Sequence, residues 1–330
     1  MIQKAIVLGA GGFIGSHMVT NLKEKGYFVT AVDIKYPEFS ESGADDFQIL
    51  DLTDQNSFEN LLKNNNDATE IYQYAADMGG AGFIFTGEND ADIMHNSSLI
   101  NINLLKGVTK FFNLENVKIF YSSSACIYPE EIQSSNENIS LREIDAYPAN
   151  PDSEYGWEKL FSERLYLSYQ KNYKMNIKIA RFHNIYGPQG TWQGGREKAP
   201  AAVCRKISEA KDGGEIEIWG DGEQTRSFLY IEDCIEATKR LMDSEVNIPI
   251  NIGSEEMVTI NQLVNLVAKH ANKKIAINHI DGPLGVRGRN SNNDLIREKL
   301  NWDYKFSLSE GIQKTYDWID AQVTINKKHD

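Results

Sequence analysis

KAIVLGAGGFIG, residues Lys4 to Gly15, decides how the rest of the chain is read. A short apolar run breaks into glycines and is followed by apolar residues at helical spacing over Ile14–Lys25. Strand, tight turn and helix in that order open a βαβ unit. The glycines fall at Gly9, Gly12 and Gly15, a GxxGxxG spacing, with Phe13 and Ile14 between the last two. Such glycines let backbone approach a pyrophosphate, and the positive end of the following helix receives it.

Further units follow outward from that stretch. Phe28–Ile34, Phe47–Leu52, Glu70–Ala76, Val117–Ser123 and Ile177–His183 read as buried strands, and Ser97–Phe112 has helical spacing. Alternation of this kind predicts an α/β fold, a doubly wound parallel (Rossmann) sheet covered on both faces. Asp33 ends the second strand, where a carboxylate accepts from the adenosine ribose hydroxyls and repels a 2′-phosphate. That favours NAD over NADP, although Lys35 nearby could pair with a phosphate. Asp51, ending the third strand, suits either the adenine amino group or a helix cap. From about Tyr186 the texture turns loop-rich, with Gly187-Pro188, Gly194-Gly195 and Gly220-Asp221-Gly222. The expected division is 1–185 for cofactor binding and 186–330, partly interleaved, as a smaller α/β substrate domain.

Composition narrows the function. The 330 residues carry 34 Lys plus Arg against 47 Asp plus Glu, a formal charge of -13. So acidic a surface argues against nucleic acid and anionic lipid as partners. The three cysteines, Cys126, Cys204 and Cys234, lack CxxC spacing and fit a reducing, cytoplasmic setting without a structural metal. No signal-peptide pattern opens the sequence, and no apolar run approaches the ~20 residues of a transmembrane helix.

The chemistry gathers around two blocks. Tyr155-Gly156-Trp157-Glu158-Lys159 places a tyrosine and a lysine on one helical face, where the ammonium makes the phenolate accessible. Ser122-Ser123-Ser124 ends a strand, so Ser124 is placed to face the ligand crevice. GxxGxxG, strand-end serine and YxxxK in that order resemble the extended short-chain dehydrogenase/reductase family, which acts largely on sugar nucleotides. The resemblance implies Tyr155 as the acid and base of hydride transfer, Lys159 on the nicotinamide ribose and Ser124 on the substrate oxygen. It also implies a homodimer.

Longer blocks narrow the resemblance: AADMGGAGFI (75–84), SSACIYPE (123–130), RFHNIYGP (181–188), GGREKAPAA (194–202), WGDGEQTRSF (219–228) and GVRGRNSNN (285–293). Together these are similar to the GDP-mannose 3,5-epimerase family. That implies Cys126 and Lys198 as base and acid, with Gly80, Asn184, Lys206, Arg226 and Arg289 handling a GDP-sugar; Arg287 competes with Arg289. The chemistry is coherent, because oxidising C4 to a ketone acidifies the protons at C3 and C5. Period-two alternation would aim Cys126 to the same side as Ser124 if the strand continued. A thiolate base also needs a cationic neighbour. The alternatives are a GDP-sugar 4-dehydrogenase, 4-epimerase or dehydratase, and a non-catalytic NAD-binding scaffold. His183 reads as a packed structural histidine, and Cys204 and Cys234 as core.

Overall fold

The computed structural model describes residues 2–327 apart from 138. The first half runs β1 (Lys4–Leu8), α1 (Phe13–Glu24), β2 (Phe28–Asp33), β3 (Asp46–Ile49), α2 (Gln55–Asn64), β4 (Glu70–Gln73), α3 (Ala81–Ile84), α4 (Asp90–Phe111), β5 (Lys118–Ser124), α5 (Glu154–Tyr173) and β6 (Asn176–Phe182). The six strands read from the sequence are these, within a few residues at each end. Helix α4 begins well before Ser97, with Asp90 and Asp92 in its first turn, where the dipole favours carboxylates.

The second half continues with β7 (Ile185–Tyr186), α6 (Ala199–Glu209), β8 (Glu215–Trp219), β9 (Thr225–Ser227), β10 (Leu229–Tyr230), α7 (Ile231–Asp243) and β11 (Ile250–Ile252). It ends with β12 (Met257–Thr259), α8 (Ile260–His270), β13 (Ala276–Ile280), β14 (Gly288–Arg289), α9 (Asp294–Leu300) and α10 (Leu308–Asn326).

Seven parallel strands form the main sheet in the order β11-β6-β5-β4-β1-β2-β3. Alternate residues of each strand enter different cores. Ala5, Val7, Val29 and Ala31 pack on α1 and α7, while Ile6, Leu8, Val32 and Ile71 pack on α2 and α4. Burial on both faces explains why these strands read as continuous apolar runs. β11, from beyond Tyr186, pairs with β6, so the second half of the chain returns to complete the main sheet. The remaining second-half strands build small sheets, β7 with β10, β8 with β13 and β12-β9-β14, beside the packed helices α6, α8 and α10.

Strand order reverses between β1 and β4: the chain steps outward to β2 and β3 on one side, then returns to β4, β5 and β6 on the other. Ligands of open parallel sheets lie in the crevice beyond the strand C-termini at such a point. The glycine turn after β1, the loop after β4 and the turn after β5 all open there. Among the described residues, no helix is long and apolar enough to cross a membrane.

Candidate active site

The glycine turn has the shape its sequence implies. A Cβ added at Gly15 would sit 2.1 Å from the Gly9 carbonyl oxygen, so only glycine lets α1 start this close to β1. Gly12 caps α1 without a side-chain hydrogen bond, and the helix has no acidic residue in its first turn. Its first N–H groups therefore suit a diphosphate. Gly11, Gly12, Phe13 and Lys35 line a cleft at that helix start. Asp33 Oδ2 accepts from the Gly11 N–H at 2.9 Å, which ties the carboxylate to the turn. Burial raises the Asp33 pKa, and the Gly11 N–H works against that rise. These features fit NAD: diphosphate on α1, ribose hydroxyls on Asp33. Asp51 spends Oδ1 on the Thr53 N–H and hydroxyl at 2.9 and 2.7 Å, while Asp54 caps α2.

Ser124 is the last residue of β5, and Tyr155 and Lys159 lie on α5, whose N-terminus is capped by the Ser153 hydroxyl on the Gly156 N–H at 3.3 Å. Lys159 Nζ donates to the Ser122 carbonyl at 3.0 Å and lies 5.7 Å from the Tyr155 ring centre. Burial pushes the Tyr155 phenol well up and the Lys159 ammonium down. The Ser124 hydroxyl beside the phenol offsets part of that rise. The three residues lie together at the end of β5 and the start of α5.

Strand β5 stops at Ser124, against the expectation that alternation would carry it on to Cys126. The backbone instead folds into a 3-10 turn over Ala125–Ile127, and the Ser124 hydroxyl accepts from the Cys126 N–H at 3.2 Å. The turn leaves Cys126 partly exposed, packed against the cluster of Phe83, Ile84, Ile93 and Tyr155. Arg289 Nη1 donates to its sulfur at 3.1 Å. The other arms of the guanidinium reach Gln133 Oε1 at 2.6 Å and Asp152 Oδ2 at 2.7 Å, with arginine and aspartate side chains both about 5% exposed or less. The cation beside the Cys126 sulfur is therefore Arg289, read from the sequence only as a diphosphate ligand. Gln133 and Asp152 were missed altogether. Nothing local marks them, because their partner lies more than 130 residues away.

Lys198 stands immediately before α6 as its N-cap residue. Burial pushes its ammonium below the usual lysine range, and the charge of Cys126 pulls it back up. Gly80 shows how tightly this loop meets the one after β4: a Cβ there would lie 2.3 Å from the Glu197 carbonyl oxygen. Arg226 is brought near Arg289, whose charge joins burial in lowering its pKa to about 10. Its guanidinium donates to the carbonyls of Thr225, Leu284 and Val286. Asn184 adopts a left-handed backbone, φ 46°, and donates to the Ser227 carbonyl at 2.8 Å.

Two residues sit away from this group. Arg287 pairs with Asp221 at 2.8 Å near the surface, which leaves Arg289 as the arginine of that block at Cys126. Lys206 lies about 12 Å further along α6 than Lys198, and its ammonium donates to the Glu217 carbonyl of β8 at 2.6 Å. His183 is buried on Asn251 at 3.0 Å, its pKa lowered to about 3 by burial, as suits a packed structural residue. Burial raises the thiols of Cys204 and Cys234, which stay in the core.

A nucleotide turn feeding a Ser-Tyr-Lys set on a seven-stranded parallel sheet has a match among protein families. Residues 5–253 match the model described as the NAD dependent epimerase/dehydratase family. The chain belongs to that family. A GDP-mannose 3,5-epimerase of Arabidopsis thaliana is 46% identical over 327 residues, covering 98% of this chain and 84% of the relative. Among solved structures of the same fold, Pal from Bacillus thuringiensis superposes with a TM-score of 0.83 at 27% identity, covering 97% of this chain and 100% of that one. UDP-glucuronic acid 4-epimerase from Bacillus cereus, solved with UDP-glucuronic acid and NAD, gives 0.81 at 26% identity, with 97% and 100% covered.

Proposed function

We propose that this protein inverts GDP-mannose at C3 and C5, with NAD as its bound cofactor. The observation that carries the reading is the Cys126 sulfur at 3.1 Å from Arg289, with the loop that leads into Lys198 packed on the loop after β4, beside the cluster against which Cys126 packs. Moving hydride alone needs no thiol and no second ammonium. The relative from Arabidopsis thaliana supports the choice of sugar nucleotide.

Held on the α1 turn and Asp33, NAD would supply the hydride acceptor for C4 and the hydride for its later reduction. Ser124 and Tyr155 hold the C4 oxygen; Tyr155, starting as a phenolate that the Lys159 ammonium stabilises, takes its proton and becomes the phenol. The resulting ketone makes the neighbouring C–H bonds acidic. Cys126, as thiolate, removes the proton at C5 or C3 and leaves an enolate. Lys198 delivers a proton to the other face, which inverts the centre. Tyr155 then returns its proton to the C4 oxygen. Inversion at C5 alone gives GDP-L-gulose, and at both carbons GDP-L-galactose. Arg226, next to Arg289, and Asn184 are our candidates for the diphosphate, which Arg suits by its planar fork.

The test is incubation with GDP-mannose in deuterated water, followed by NMR. We expect deuterium at C3 and C5 and both inverted products. Absence of deuterium at these carbons overturns the proposal, and a product changed only at C4 or C6 turns it toward a 4-epimerase or dehydratase.

We also propose a homodimer pairing α4 and α5 with the same helices of a second copy. Trp157 and Phe161, one turn apart on α5, are 39% and 47% exposed. Light scattering at micromolar concentration should give twice the chain mass, and Phe161→Glu should restore the monomer. A wild-type chain that stays monomeric rules the pairing out. Three free thiols suit a reducing compartment such as the cytoplasm.

A further inference from the structure

What places Lys198 is its loop. Gly194 and Gly195 have φ of +88° and +87°, and a Cβ at either would touch nothing within 4 Å. Close packing does not require these glycines, so their use here is backbone freedom, a swivel just ahead of the lysine. Past the swivel the loop is seized at Arg196. Its carbonyl accepts from the Gly80 N–H at 3.0 Å. Its guanidinium lies over the Phe83 ring, 4.0 Å from the centre, and 3.7 Å from the Asp77 carboxylate. Phe83 is buried in the cluster that includes Tyr155 and against which Cys126 packs. The contact therefore joins the loop carrying Lys198 to the wall carrying the thiol and the phenol.

We propose that Arg196 is a positioning residue: stacked on Phe83 and paired with Asp77, it latches the swivelling 194–198 loop and holds the Lys198 ammonium on the face of the ring opposite Cys126. This rests on the reading of Lys198 as the proton donor. The Arg196 side chain is 55% exposed, and an ion pair that open to water contributes little. The stack on a buried ring, reinforced by the Gly80 hydrogen bond, carries most of the latch. Phe83 should accordingly matter more than Asp77.

The latch predicts which proton transfer suffers. Without it, Cys126 still removes a proton and can return one from solvent to the same face, which exchanges deuterium with retention. Inversion alone needs the lysine across the ring. Arg196→Gln should therefore lower the inverted products at least tenfold while deuterium in recovered GDP-mannose stays within about threefold, the scale of a positioning loss. Arg196→Lys should recover part of the inversion. An equal fall of exchange and inversion overturns the proposal, because it marks Arg196 as merely holding the site together. An independent measurement uses the NAD-loaded full chain and trypsin. Cleavage after Arg196 should be several-fold faster in Phe83→Leu, and less so in Asp77→Asn, than in wild type; equal rates overturn the latch. Should wild type fail to exchange deuterium from GDP-mannose at all, the functional reading falls, and the protease comparison still decides whether the latch exists.

Discussion

Ser124, Tyr155 and Lys159 stand on regular secondary structure, whereas Cys126, Lys198 and Arg289 stand where it ends. The first three come from one strand terminus and two adjacent turns of one helix, and α5 is held against β5 and β6 by buried side chains. Backbone geometry alone fixes their separation. The second three come from a 3-10 turn, a helix cap and a two-residue strand. Side chains must fix these: Asp152 and Gln133 orient Arg289, and the loop after β4 backs the residues before Lys198. On the proposed reading, a scaffold for moving hydride is thus built into the fold, and the inverting groups are added on the loops that border it. Different chemistries can then arise on one sheet by changing loops.

Removing one member from each set breaks that comparison most strongly. Tyr155→Phe should abolish C4 oxidation, exchange and inversion together, because every later step needs the ketone. Cys126→Ala should abolish exchange and inversion yet keep reduction of bound NAD by GDP-mannose. Each loss should fall in the range of about 10²–10⁴-fold expected for a positioned acid or base. Absorbance at 340 nm reads the oxidation and NMR in deuterated water reads the rest. Loss of NAD reduction in Cys126→Ala would show that the two sets are one.

The same difference explains what could be read from the chain. Tyr155 and Lys159 were legible because residues four apart on a helix share a face whatever surrounds them. The glycine turn and Asp33 were legible because a strand end and a helix start carry their function in a short stretch of backbone. Cys126 was legible only through resemblance. The alternation argument for it failed, since Ser124 turns its hydroxyl back onto the Cys126 N–H and ends the strand. Arg289 was singled out without its partner, because 163 residues separate it from Cys126 and only folding brings them together. Asp152, Gln133 and Phe83 gave no local signal: their task is to hold another side chain. That β11 pairs with β6 was equally hidden, because an apolar stretch such as Ile248–Ile252 reads as a strand without saying which neighbour it joins.

A smaller effect, set by pH, sharpens the division between the two sets. Burial pushes both Lys159 and Lys198 below the ordinary lysine value of 10.5, so both lose their protons at lower pH than an exposed lysine. On the proposed mechanism Lys159 serves every step, so its deprotonation lowers exchange and inversion alike. Lys198 there serves inversion only, and only as the protonated acid. The ratio of inverted product to retained, exchanged GDP-mannose therefore isolates Lys198. That ratio should be flat where the ammonium is intact and fall as pH rises through its depressed pKa, a few-fold at first and approaching about tenfold per pH unit beyond it. The decline should begin below pH 10.5. Lys198→Arg keeps its proton throughout this range. It should give a lower ratio that no longer depends on pH, since a guanidinium is a poor proton donor. A wild-type ratio that stays constant up to the exposed-lysine range would take the acid's role away from Lys198 and leave inversion to solvent.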